Sequence, residues 1–164
     1  MKKVLALVLA LVMTLTVVSA MAGESPTPKK KTTGGDTVTE INLPDAADTD
    51  GTKAIKEQIE NDQKAGDALA SVTVELSSGF DKVSEMITVK FPTGQKTRTF
   101  KRMFQTPFAK DTIVEVLIGI PGDPVEWIKV VGKANANGEV VFTLSESDYQ
   151  KIAGKEVVII PVTK

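Results

Sequence analysis

The chain of 164 residues contains no histidine and no cysteine, and that limits its chemistry before any element is considered. Histidine-based triads, cysteine nucleophiles and histidine-ligated zinc are all excluded. Carboxylate and Ser-Lys chemistry remain. The acids Glu115, Asp123, Glu126, Glu139 and Glu156 are scattered singly at solvent-side or turn positions of the predicted elements. Glycosidase-type catalysis needs two acids converging in one cleft. The expectation is a protein that is not an enzyme and uses no cofactor.

Three further constellations bear on binding. Asp48-x-Asp50-Gly51 with Glu57 downstream overlays positions 3, 5, 6 and 12 of a calcium loop. Its first ligand position falls on Ala46 and its apolar eighth on Lys53, and no helix is predicted ahead of it, so no metal site is assigned. Lys90, Lys96, Arg98, Lys101 and Arg102 form a cationic stretch near Phe100, Phe104 and Phe108. Such charges either grip an anionic polymer or guard an exposed edge strand against pairing with other chains. Trp127 is the single tryptophan and follows the Pro121 to Pro124 turn. It either stacks on a sugar or, flanked by Val125 and Ile128, sits in the core. The candidate binding residues are therefore Trp127, Lys96, Arg98, Lys101 and Arg102.

Most of the elements that position these residues read as strands. Ile87, Val89 and Phe91 alternate against Met86, Thr88 and Lys90, and Pro92-Thr93-Gly94-Gln95 predicts a hairpin turn to a strand from Lys96 to Phe104. Thr112 to Ile120 is apolar on both faces, which predicts a central strand. Val125 to Lys133 and Glu139 to Leu144 flank Asn135-Ala136-Asn137-Gly138, where Asn-Gly supplies the positive φ of a tight turn. Ser145 and Asp148 open a short helix anchored by Tyr149 and Ile152 and stopped at Gly154. Val157 to Val162 closes the pattern.

Ahead of the strands, Thr52 to Leu69 has helix-forming composition with a thin stripe, Ile55 and Ile59, and Asp50 or Thr52 as N-cap. Beyond Gly66 two periodicities compete: Leu69, Val72 and Leu76 fit a helix, while Val72, Val74 and Leu76 fit a strand; the expectation is a continued helical or irregular connection that ends at Ser77-Ser78-Gly79.

The N-terminus specifies an address. Lys2 and Lys3, the apolar run from Val4 to Leu15 and the small residues Ala20 and Ala22 have the three parts of a secretory signal, with Gly23 as first mature residue. A membrane anchor needs roughly 20 apolar residues, and Thr14 and Thr16 interrupt this run. Cleavage removes two lysines and no acid, taking the formal charge from −1 to −3. That mild charge argues against nucleic acid as partner. Gly23 to Thr52 carries Pro26, Pro28, Lys29 to Lys31, Gly34, Gly35 and Pro44 with few sizeable apolar residues, the composition of a flexible linker. Val38 to Leu43 alternates apolar and polar, so a short strand added to a sheet edge is the lesser alternative.

The strand pattern from Phe80 to Lys164, the Asn137-Gly138 turn and the helix-strand unit from Ser145 to Val162 together resemble small immunoglobulin-like modules of secreted and surface proteins of Gram-positive bacteria. The resemblance implies an all-β domain, mainly an antiparallel β-sandwich, with one N-terminal helix and one short helix before the last strand. It lacks the cysteine pair of antibody-type domains. The expected organisation is a signal peptide over 1–22, a linker over 23–52, a helix and connection over 53–79 and the sandwich over 80–164. The expected function is secreted, non-enzymatic binding of an extracellular protein or cell-wall polysaccharide, with no membrane contact after cleavage. The alternative is a structural subunit of a bacterial surface assembly.

Overall fold

The computed structural model describes residues 39–67 and 69–164. The expected signal peptide and residues 23–38 of the expected linker lie outside the described residues. Among the described residues, no helix is long and apolar enough to cross a membrane.

In chain order the elements are β1 (Ile41–Asn42), α1 (Asp50–Ala65), β2 (Lys82–Val83), β3 (Ile87–Lys90), β4 (Thr99–Arg102), β5 (Ile113–Ile120), β6 (Glu126–Ala134), β7 (Val140–Thr143), α2 (Glu146–Ile152) and β8 (Glu156–Thr163). The fold is dominated by one sheet, in which hydrogen bonding joins β1-β4-β7-β6-β5-β8-β2, with β3 also on β8. Strand β5 lies between β6 and β8, the central place its two apolar faces predict. Its Val114, Val116, Ile118 and Ile120 belong to one buried cluster and Leu117 to another. Strand β8 divides likewise, Val157 and Ile159 against Val158, Ile160 and Val162. Strands β6 and β7 pair across the predicted Asn135 to Gly138 turn, in which Gly138 has φ +80°.

Two expectations about pairing are corrected. The sheet is mixed rather than purely antiparallel, because β1 runs parallel to β4, with Ile41 opposite Phe100 and Asn42 opposite Lys101. Parallel neighbours need a long connection, and α1 with the chain up to Thr99 provides it. The predicted hairpin between β3 and β4 is also absent. Strand β3 pairs with β8 and β4 with β7, so the two diverge after Phe91. Tyr149 of α2 holds the connection: its hydroxyl donates to the Pro92 carbonyl at 2.7 Å and accepts from the Gln95 amide at 3.1 Å.

The chain just before α1 fills the gap between β3 and β4. Leu43 N–H donates to the Lys101 carbonyl at 3.0 Å, Asp45 bridges Val89, and Ala46 N–H donates to the Thr88 carbonyl at 2.9 Å. Pairing thus follows a closed circuit from β3 through β8, β5, β6, β7, β4 and β1 back to β3. Closure leaves few free edges, the usual liability of an open sheet. Residues 39–52, read from composition as linker, therefore form part of the folded body, and Leu43 is fully buried.

The larger cluster holds Leu43, Phe91, Phe100, Phe142, Tyr149 and Ile152 with the inward residues of β5 and β8. Phe100 is its centre, 5.0 Å from the Phe91 ring edge-on and 6.0 Å from Tyr149. Helix α2 supplies Tyr149 and Ile152 to this cluster, and its Ser145 hydroxyl accepts from Asp148 N–H as predicted.

The smaller cluster lies on the opposite face, under α1. The cap is Thr49 rather than Asp50 or Thr52: Thr49 and Thr52 form a reciprocal capping box, and left-handed Gly66 ends the helix. Ile55 and Ile59 press onto Leu117, Trp127, Val158 and Ile160. Close approach depends on Gly119, where an added Cβ would lie 3.0 Å from the Trp127 ring and 3.2 Å from Ile55. The segment Leu69 to Phe80 neither extends the helix nor pairs as a strand; it crosses this face as a strap, packing Leu69, Val72, Val74 and Leu76 against the cluster.

Candidate functional site

The fold distributes the cationic residues and gives most of them carboxylate partners. Arg102 turns under the chain before α1, donating to the Leu43 carbonyl at 2.7 Å and pairing with Asp45. Lys101 pairs with Glu139 at 3.1 Å, Arg98 with Glu146, and Lys90 with Glu156 at 2.8 Å. Lys96, exposed in the turn after β3, makes no such pair among the described residues. Burial alone would raise the Glu139 carboxyl, but hydrogen bonds from Asn135 and Lys101 outweigh it and hold the group below its ordinary value. These cations therefore tie β3, β4 and the residues beside them to a neighbouring strand, a helix and two loop segments rather than forming one open basic patch.

Trp127 lies in the smaller cluster at 7% exposure, over the bare backbone of Gly119. Its ring presents no open face for stacking on a sugar. Asp48, the first acid of the calcium-like run, accepts from Lys56 at 2.7 Å and from Thr88. The Lys56 hydrogen bond, then that of Thr88, hold its carboxyl below the ordinary range. Among the described residues no group of three or more acids gathers to hold a metal ion.

Glu115 departs furthest from its sequence reading as a solvent-side acid: it is 1% exposed. It stands on the outer face of β5, covered by the strap. Its carboxylate accepts the Ser77 amide at 3.1 and 3.2 Å, the Ser77 hydroxyl, and the Lys129 ammonium of β6 at 3.4 Å. A buried carboxylate is tolerated only when paired and hydrogen-bonded, and both conditions hold here. The arrangement is a clamp that fixes the strap to the sheet. The available signal was an acid standing between Ile113 and Leu117 in a row that is otherwise apolar.

Where the strap ends, the same sheet face opens to solvent. Ile113 pairs with Lys133 and Val131 with Glu115, so Ile113 and Val131 are diagonal neighbours on one face. They are 47% and 57% exposed, high for aliphatic side chains on central strands. Ile113 also lines a shallow open cavity of about 470 Å³ together with Phe80, Thr112, Thr163 and Lys164. The Lys164 ammonium stands 5.4 Å from the Phe80 ring centroid. At the rim, Lys133 pairs with Asp111 at 2.7 Å. Sequence reasoning missed this site because alternation assigns a residue to a face without saying which part of that face is covered.

Comparison of the chain with protein-family models, with curated proteins and with solved structures finds no significant match.

Proposed function

We propose that this chain is an exported, non-enzymatic binding module that recognises a protein surface through the open face formed by Ile113 and Val131. The observation carrying this reading is the pair of aliphatic side chains left exposed beside an apolar cavity, on a sheet whose other outward apolar residues are largely covered. Exposed apolar groups rimmed by polar residues suit protein contact. An extracellular protein is thereby favoured over a wall polysaccharide, since Trp127 is buried and four of the cations already hold carboxylates. Export rests on Lys2, Lys3, the apolar run and the Ala20-Met21-Ala22 site. Sequencing the mature N-terminus tests that separately: Gly23 supports it and Met1 refutes it.

The immunoglobulin-like sandwich is the finer fold reading. Strand alternation and the Asn137-Gly138 turn support it, whereas the closed circuit through residues 43–46 favours a barrel-like closure.

The direct test is to screen the mature protein against secreted proteins, wall fractions and glycans, with the double variant Ile113→Lys and Val131→Lys alongside. A saturable protein interaction lost in the variant supports the reading. Saturable glycan binding unaffected by the substitutions, or no saturable binding at all, refutes it.

A further inference from the structure

The gap between β3 and β4 is a slot for an extended segment, occupied by residues 39–46. Its recognition elements come from the two strands on either side. On one wall β4 offers its backbone to Ile41, Asn42 and Leu43, and Arg102 grips both the Leu43 carbonyl and the Asp45 carboxylate. On the other wall Val89 and Thr88 pair with Asp45 and Ala46. At one end the Thr97 hydroxyl donates to the Thr39 carbonyl at 2.8 Å. Between the walls, the buried pocket formed with Phe91 and Phe100 takes the Leu43 side chain. Backbone pairing supplies affinity and the leucine pocket and arginine fork supply sequence selection, which is the chemistry of strand addition.

The occupant is also separable from the rest of the sheet. Thirty-nine residues, Leu43 to Asp81, separate β1 from the next strand, and only Ala47 and Asp48 join the last pairing residue, Ala46, to the α1 cap at Thr49. We propose that the slot accepts the same segment, Thr39 to Ala46, from a second copy of this chain, producing strand-exchanged oligomers. The occupant is identified by complementarity already on the molecule: every backbone bond, the leucine pocket and the arginine fork are satisfied equally by the identical segment of another copy. Only the backbone of Ala47 and Asp48 must change course, so the balance between closed and exchanged forms is set by concentration and hinge conformation. This inference stands apart from the binding reading above and does not depend on it.

The chain has no cysteine of its own, so engineered thiols report without background. Asn42 and Lys101 are register partners in adjacent strands, within the Cα separation a disulfide spans. Full-length chains carrying only Asn42→Cys and only Lys101→Cys are mixed at high concentration, passed through mild denaturant, returned to buffer and oxidised. The expected product is an Asn42→Cys to Lys101→Cys heterodimer in excess of its statistical share over the two homodimers, rising with concentration. A chain carrying both substitutions, oxidised when dilute, is expected to close on itself as a monomer. Sedimentation of the unmodified chain after the same treatment is expected to show dimers or larger species that persist on dilution. Heterodimer at or below the statistical share, or a double variant that fails to close, overturns the proposal; so does an unmodified chain that stays monomeric throughout.

Discussion

Replacing Leu43 by alanine tests whether the chain ahead of α1 belongs to the fold. In a flexible linker the substitution would change stability by a few tenths of a kcal/mol, as surface changes do. In this structure Leu43 is 0% exposed and packs with Phe91, Phe100 and Val89 in the larger cluster. Truncating a buried leucine removes the transfer free energy of the lost carbons and leaves a cavity, together about 2–5 kcal/mol. The site lies near a chain segment held by few residues, so partial collapse into the cavity places the expectation near the middle, about 3 kcal/mol. For a folded body of this size that corresponds to a fall in melting temperature of roughly 10 °C. Urea unfolding followed by Trp127 fluorescence and by far-ultraviolet circular dichroism measures it, with Val131→Ala as the exposed control. The two probes are expected to give coincident transitions with an unchanged denaturant slope and a lower midpoint. A loss below about 0.5 kcal/mol would refute the placement of residues 41–46 in the sheet.

Glu115→Gln keeps the shape of the clamp but removes the charge facing Lys129. Destabilisation of about 1–3 kcal/mol and faster proteolysis between Leu69 and Phe80 are expected, and unchanged cleavage would show that the strap is held by its apolar residues alone. Gly138→Ala places a Cβ at φ +80° and 2.6 Å from the Pro107 side chain, so a loss of roughly 1–3 kcal/mol should appear in thermal melts; a neutral substitution would mean that the loop before β5 moves freely away. Asp48, Asp111, Glu139 and Glu156 are all held below their ordinary values of 3.8 and 4.5 in the folded chain. The unfolded chain therefore takes up protons first as pH falls, and the stability these groups contribute, fully present above about pH 4.5, declines as pH drops through the lowered folded values. Urea midpoints between pH 7 and pH 2.5 check the sign, and a midpoint that rises on acidification contradicts it.

The legible parts of the fold are those whose signals are local. Asn137-Gly138 demands a positive φ within the turn it makes, Ser145 caps the helix that starts beside it, and β5 advertises its central position through apolar residues on both faces. The turn after Phe91 was misread because Pro92-Thr93-Gly94 signals a reversal equally well whether the flanking strands pair or separate. Their separation follows from partners far along the chain, β8 for one strand and β7 for the other, with Tyr149 bonded to the connection between them. Residues 39–46 are half legible: the alternation from Val38 to Leu43 offers the edge strand that Ile41 and Asn42 form, but proline and lysine upstream outweigh it as a linker signal, and a single leucine decides the burial. At the candidate site, periodicity placed Glu115, Lys129, Ile113 and Val131 on strands. It did not reveal that an irregular strap covers the first and leaves the last two bare.

The closed circuit also has a consequence for the order of folding. The Leu43 carbonyl and the Arg102 guanidinium that holds it are 59 positions apart, and β4 must itself be seated by β7, about forty positions further on. Thr39 to Ala46 is synthesised ahead of every strand it joins, yet it has no place to dock until nearly the whole chain is available. Domains usually condense as the chain emerges, N-terminal parts first. Of the described strands the earliest made, β1, has no edge to join before β4 is in place, and until this segment docks β3 and β4 each present an unpaired edge. Two edges therefore stay open to misassembly for as long as one short segment, made ahead of the strands it joins, takes to dock between them.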